Sequence, residues 1–209
     1  MHRHAIPDIE YRTKLAERGL ECHLLLSDGD RRAFVTELCG VLGTLLENSY
    51  GRTLTPECLS YETWAVVIGP SPTETPVACA TLSFTAEYPS YFATRFEAVD
   101  PSVQETGLGR ILFDCIASWC RFLVFNDELA KEGVLNSDGN YCLVSYIDAP
   151  SQDGEWVGPR DNPSGHGAFL QKIGFTHAQH DFGQNQDELA FQRAFRINTK
   201  PWQDACEDE

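Results

Sequence analysis

The tightest constraint on this chain is a glycine-bearing loop between a strand and a helix, Val99-Asp100-Pro101-Ser102-Val103-Gln104-Glu105-Thr106-Gly107-Leu108-Gly109-Arg110. Residues 91 to 99 (YFATRFEAV) have strand composition. After the loop, Leu108, Ile111, Leu112, Cys115, Ile116, Trp119, Phe122 and Leu123 recur at helical spacing, which predicts a buried helix from Gly107 to about Phe125. The first turn of such a helix leaves backbone N–H groups unpaired and carries about half a positive charge. Two glycines at that point remove Cβ atoms that would hold an anion away, so main-chain donors can converge on a pyrophosphate.

Spacing separates this loop from two other phosphate-binding loops. A P-loop needs G-x-x-x-x-G-K-S/T, and no such run occurs. A dinucleotide fingerprint needs G-x-G-x-x-G directly after a strand, whereas Leu112 stands at the third glycine and seven residues, Asp100 to Thr106, intervene. What remains is Gln104-x-x-Gly107-x-Gly109 behind a V-x-P.

The rest of the pattern predicts a mixed α/β chain without internal repeats. Strands are expected at 20–26, 63–68, 76–85, 91–99, 141–148, 175–182 and 188–197. The pair at 63–68 and 76–85, joined by a Gly/Pro-rich turn, reads as an antiparallel hairpin. Helices are expected at 30–48, where Phe34, Leu38, Val41, Leu42 and Leu45 share a face, and at about 165–173; a further short helix can fit within 48–62. Sixteen irregular residues, Ala149 to Ser164, form a long loop, of a length that inside a compact domain is usually either functional or disordered.

Lys plus Arg total 16 against 31 Asp plus Glu, a net charge of −15. That balance repels phosphate backbones and argues against nucleic acid, while it attracts amines, polyamines and Lys-rich peptides. No apolar run approaches the roughly 18 residues that cross a bilayer, and the first twenty residues lack a signal-peptide core. The expected location is therefore cytoplasmic, with the nucleus as alternative, and no membrane contact is expected. The eight cysteines include no C-x-x-C pair, so reduced thiols and no metal are expected. His177 and His180, three apart on one predicted strand, face opposite sides and do not suggest a shared metal ion.

The stretch FEAVDPSVQETGLGRIL, Phe96 to Leu112, resembles the acetyl-coenzyme A signature of the GNAT superfamily of N-acetyltransferases, Q/R-x-x-G-x-G/A after a strand ending in V-x-P. A second resemblance is Phe169-Leu170-Gln171-Lys172-Ile173-Gly174-Phe175, similar to that family's helix end at F/Y-x-K-x-G-F, about 65 residues after Gln104. Gly174 stands at the C′ position, where positive φ favours glycine. The resemblance implies an acyl-CoA N-acyltransferase fold of about seven strands, with a V-shaped splay between the strands at 91–99 and 141–148. One such domain would span 20–197, with an N-terminal extension at 1–19 and an acidic tail at 198–209. It further implies that the pantetheine arm bonds the backbone near Ala98 and Val99. Gln104, Glu105, Thr106, Gly107, Leu108, Gly109, Arg110 and Asn162 would hold the rest of the cofactor, with acetyl-CoA as co-substrate.

Moving an acetyl group from a thioester to an amine requires a neutral amine, a site for the oxyanion and a proton for the departing thiolate. The family's usual Glu and Tyr positions fall at Ala93 and Leu170, neither of which titrates. Glu97, placed on the face of Ala93 by strand alternation, is the nearest replacement. Tyr146 and Asp148 at the end of the next strand and His166 near the start of the last helix are the other candidates. In this fold the acceptor is chosen by segments equivalent to 48–62 and 182–187; Glu47, Glu57, Glu62, Asp181 and Asp187 lie in or beside them and point to a cationic amine, small or peptidic. A non-catalytic coenzyme A-binding or partner-recruiting module, and an acyltransferase using another acyl group or a hydroxyl acceptor, remain alternatives. A homodimer is the default assembly.

Overall fold

The computed structural model describes residues 1–50, 55–60, 62–71, 74–85, 91–125, 140–148, 151–152, 155–156, 166–178 and 188–196. They fall into two compact units, one comprising Met1–Phe84 and Thr94–Phe122, the other Thr85–Ala93 and Leu123–Glu209. Asn162, His180, Asp181, Asp187 and most of the 149–164 loop lie outside the described residues.

The first unit opens with strand β1 (His2–Ala5) and helix α1 (Ile9–Ala16), followed by β2 (Glu21–Leu26), α2 (Arg31–Tyr50), β3 (Trp64–Gly69) and β4 (Ala78–Thr85). Strand β5 (Tyr91–Val99) contributes Thr94–Val99 to this unit, and α3 (Leu108–Phe125) contributes its residues up to Phe122. The strands are hydrogen-bonded in the order β1-β2-β3-β4-β5. The expected hairpin is present, with β3 antiparallel to β4 in the register Trp64↔Leu82 to Ile68↔Ala78. The core forms where Phe34, Leu38, Leu42 and Leu45 of α2 meet Leu25, Ala65, Val67 and Cys79 of the sheet, which is the helical face expected from sequence. Residues 55–60 form successive i→i+3 turns, Cys58 N to Thr55 O and Ser60 N to Glu57 O among them, where a short helix had been allowed for.

Among the described residues of the first unit, β1 is a strand that the sequence pattern does not predict. It pairs antiparallel with β2, from His2↔Leu26 to Ala5↔His23. Ile6 donates to Cys22 O at 3.0 Å, and Arg12 Nη2 donates to Ile6 O at 2.8 Å. Ile6 and Leu15 are fully buried, so the first nineteen residues, in which the sequence pattern predicts no element, pack into this unit. Helix α1 closes at Gly19, φ +66°, with Leu20 N bonded to Leu15 O at 3.0 Å.

In the second unit the start of β5, Tyr91–Ala93, precedes β6 (Asn140–Asp148) in the strand order, and β10 (Glu188–Arg196) and β9 (Thr176–His177) follow. Strands β6 and β10 are antiparallel along their whole length, Asn140↔Arg196 to Asp148↔Glu188. Within the long loop, β7 (Ser151–Gln152) and β8 (Glu155–Trp156) form a small separate hairpin. Helix α4 (His166–Lys172) ends as the sequence predicts: Gly174 has φ +94°, and Phe175 N reaches back to Leu170 O at 2.9 Å.

The packing predicts how α1 responds to substitution. Leu15→Ala should cost about 3 kcal/mol in urea denaturation, whereas Ile9→Ala, at a position 74% exposed, should change stability by less than about 0.5 kcal/mol. Equal effects would mean that α1 is not part of the cooperative core.

Candidate functional site

The loop between β5 and α3 lies wholly in the first unit, and its shape follows from a few hydrogen bonds. Asp100 N donates to Val77 O at 2.8 Å, which ties the loop to the entry of β4. The Asp100 carboxylate accepts from Ser102 N at 2.8 Å and Ser102 Oγ at 2.6 Å, and both bonds hold its pKa below the usual carboxylate value. This cap starts a 3-10 turn at Pro101–Val103, with proline in its first turn. Gln104 Nε2 then folds back to donate to Val99 O at 3.2 Å, and Thr106 Oγ1 donates to Val103 O at 2.7 Å.

Two residues with positive φ redirect the chain into α3, Glu105 at +65° and Gly107 at +83°. Ile111 N donates to Gly107 O at 3.2 Å, so the helical ladder begins there and the N–H groups of Leu108, Gly109 and Arg110 precede it. The first turn of α3 contains no acidic residue. A Cβ at Gly107 would meet nothing within 4 Å; the space is open, and the backbone conformation is what favours glycine there. Gln104 through Gly107 and Arg110 are exposed, while Leu108 is buried and anchors the helix. Of the expected arm contacts, Ala98 is buried in the α2 core, and the Val99 carbonyl is engaged by Gln104.

Glu97 is buried, and the Thr94 hydroxyl donates to its Oε1. Residues three apart on a regular strand face opposite sides, so this bond requires the alternation of β5 to break between them. The expectation that Glu97 shares a face with Ala93 is corrected accordingly: its carboxyl lies with Thr94. In the second unit Tyr146 is buried beside Tyr91, Ala93 and Val144, and its hydroxyl donates to Tyr91 Oη at 3.3 Å. His166 is the first residue of α4, and Asp148 the last of β6.

A second carboxyl emerges from burial alone. Glu62, expected as an acceptor-facing charge, is only 1% exposed, and its Oε2 has no hydrogen-bond partner among the described residues. Burial pushes its pKa from 4.5 to about 7, Glu97 adds to the rise, and the Thr81 hydroxyl, Arg95 and Arg31 oppose it. Arg31 also clamps this segment, with Nε on Ser60 O at 3.0 Å and Nη2 on Glu62 O at 3.4 Å. A cleft of about 440 Å³ lies between the start of α2 and the 55–60 turns, lined by Arg31, Arg32, Val35, Thr36, Pro56, Glu57 and Ser60. Its rim carries guanidinium groups as well as Glu57.

Nucleophilic sulfur is disfavoured where it is buried. Burial raises the Cys79 thiol to about 12 and holds Cys120 well above its ordinary value, and a bond with Cys22 raises Cys115. No group of three or more His, Cys, Asp or Glu side chains able to hold a metal ion occurs among the described residues. No helix among them is long and apolar enough to cross a membrane.

No protein-family model and no curated protein matches the chain. Among solved structures, an IAA acetyltransferase from Bacillus cereus is similar at 12% identity, covering 85% of this chain and 99% of the other with a TM-score of 0.46. A PaiA N-acetyltransferase from Thermoplasma acidophilum in complex with coenzyme A is 11% identical, with 84% and 99% covered and a TM-score of 0.45. A NatC complex bound to Gag peptide and CoA is 11% identical, with 85% and 99% covered and a TM-score of 0.44.

Glu62 makes stability depend on pH. Between about pH 4.5 and 7 the folded chain retains the Glu62 proton that the unfolded chain has lost. Stability should therefore fall as pH rises through that window, by about 3 kcal/mol in full. Glu62→Gln removes this dependence, so the variant should gain on wild type between about pH 5 and about pH 8 in urea denaturation. Parallel curves for the two proteins would show that Glu62 does not titrate in this range.

Proposed function

We propose that this protein is an acetyl-CoA-dependent N-acetyltransferase that moves an acetyl group directly to a primary amine. The observation that carries the proposal is the QETGLG loop. Its positive-φ Glu105 and Gly107 turn an exposed loop into an 18-residue helix whose first turn holds no carboxylate, with the N–H groups of Leu108, Gly109 and Arg110 ahead of the helical ladder. Such a helix start suits the diphosphate of coenzyme A, and the exposed edge of the loop leaves it accessible.

In this scheme the amine nitrogen attacks the thioester carbonyl, the C–S bond breaks, and sulfur leaves as a thiolate that takes up a proton. The amine reaches the site charged, since its ordinary pKa is about 10.4, and must lose a proton before attack. Glu97 is the preferred acceptor of that proton, directly or through water, because its carboxylate is held by the Thr94 hydroxyl. Tyr146, Asp148 and His166 are the other candidates for the proton transfers, His166 as a base. Direct transfer is preferred to a cysteine-bound intermediate because the buried thiols of Cys79 and Cys120 resist ionisation. The net charge of −15 favours a cationic acceptor, although Arg31 and Arg32 at the cleft make that selectivity a local question. Asn162 is retained as a cofactor contact, the domain as 20–197 with the packed segment 1–19 ahead of it, the location as cytoplasmic and the assembly as a homodimer.

Thermal melts test the cofactor assignment. Acetyl-CoA at about 100 times its Kd should add roughly 2.7 kcal/mol, a rise of about 5 to 10 °C, larger than that from adenosine diphosphate. Gly107→Glu should abolish the shift, and Gly107→Ala, which adds the φ strain with little bulk and no charge, should retain most of it. An unchanged shift in Gly107→Glu would remove the loop from the cofactor site.

A panel of polyamines, aminoglycosides and Lys peptides, with product detected by mass, tests the reaction. With any acceptor found, Glu97→Gln should lower kcat by about a hundredfold, the lower end of general-base effects, with acetyl-CoA affinity retained. A rate within about twofold of wild type would shift the base to His166 or to solvent.

A further inference from the structure

We propose that Arg18, delivered by the N-terminal strand and helix, supplies a cationic contact to the coenzyme A diphosphate at the start of α3; this rests on the cofactor assignment above. Arg18 Nη1 donates to Thr106 O at 3.2 Å, eighty-eight residues away in sequence and inside the QETGLG loop. A guanidinium has five donors in a planar fork, and one bond to the loop backbone leaves others for an anion beside it. The side chain is exposed, as a ligand-facing group on this surface must be.

Electrostatics gives the contact a purpose. The loop carries two carboxylates, Asp100 and Glu105, against a single guanidinium, Arg110. Asp100 is held ionised by the Ser102 hydroxyl and N–H. A net negative loop on a protein of charge −15 is a poor receptor for a dianion if it relies on helix N–H groups alone. Arg18 brings the local balance to neutrality, and its planar fork suits phosphate oxygens better than an ammonium does.

The placement of Arg18 is built into the unit. It lies just beyond α1, where Arg18 N bonds Leu15 O at 2.9 Å and Gly19 closes the helix. Leu15 and Ile6 are buried, and β1 is paired to β2. The strand and helix that carry Arg18 are thereby anchored to the same unit that holds the loop.

Calorimetric titration of the full chain with coenzyme A and with 3′-dephospho-coenzyme A, at low and high ionic strength, tests this. Arg18→Gln should weaken both ligands about fivefold at low salt, with less loss at high salt, and should leave unliganded melting unchanged within about 2 °C. Arg18→Lys should recover part of the affinity, and Glu17→Gln, next to Arg18 on the exposed side of α1, should not weaken either ligand. Losses below about twofold for both ligands in Arg18→Gln, with wild type binding normally, overturn the proposal. A loss confined to coenzyme A would move the contact to the 3′-phosphate and overturn the diphosphate assignment. Absence of binding by wild type would remove the cofactor site itself, and the role of Arg18 with it.

Discussion

Everything proposed for this protein depends on how the chain leaves β5 and enters α3. The exit is held at three points: Asp100 N on the carbonyl of Val77, the Asp100 carboxylate on Ser102, and the Gln104 amide on the carbonyl of Val99. These bonds use backbone groups that would otherwise be left unpaired at a strand end, and they bring the turn up to Glu105 and Gly107. Positive φ at those two residues turns the chain into the first turn of α3, between the exposed Gly107 and Arg110. A helix start buried without partners would be costly; one turned to solvent and free of carboxylates has its donors ready for an anion.

Carboxyl burial is the second organising feature of the first unit. Glu62 and Glu97 are both largely removed from water and influence each other electrostatically, with Thr81, Thr94, Arg95 and Arg31 around them. Two buried carboxyls near one another do not both ionise freely, and Glu62 takes the larger share of that penalty because it is almost wholly buried.

The N-terminal segment shows why some structure is silent in a sequence. Strand β1 is HRHA, with all four residues exposed, so no apolar alternation marks it; what holds it is the hydrogen-bonded ladder to β2. Helix α1 buries Leu15 alone, too little to make a periodic stripe. Glu97 illustrates a different limit. Period-two counting is sound for a regular strand, and it failed because the chain breaks alternation between Thr94 and Glu97, which the hydrogen bond between them reveals. Gly174 is the opposite case, since a C′ glycine after a short amphipathic helix is a local requirement, and it appears with φ +94°.

The sequence by itself determined the order of the longer strands and helices from β2 onward, though not the small β7–β8 hairpin inside the expected irregular loop, together with the apolar faces of α2 and α3, the helix stop at Gly174 and the glycine-bearing turn at 104–109, because each of these is set by residues close together in the chain. Only the tertiary structure decided that Glu62 is buried within electrostatic reach of Glu97, that the first nineteen residues belong to the packed unit, and that Arg18 rests on Thr106. Those features depend on segments twenty to ninety residues apart being brought into contact, and neither composition nor periodicity carries that information.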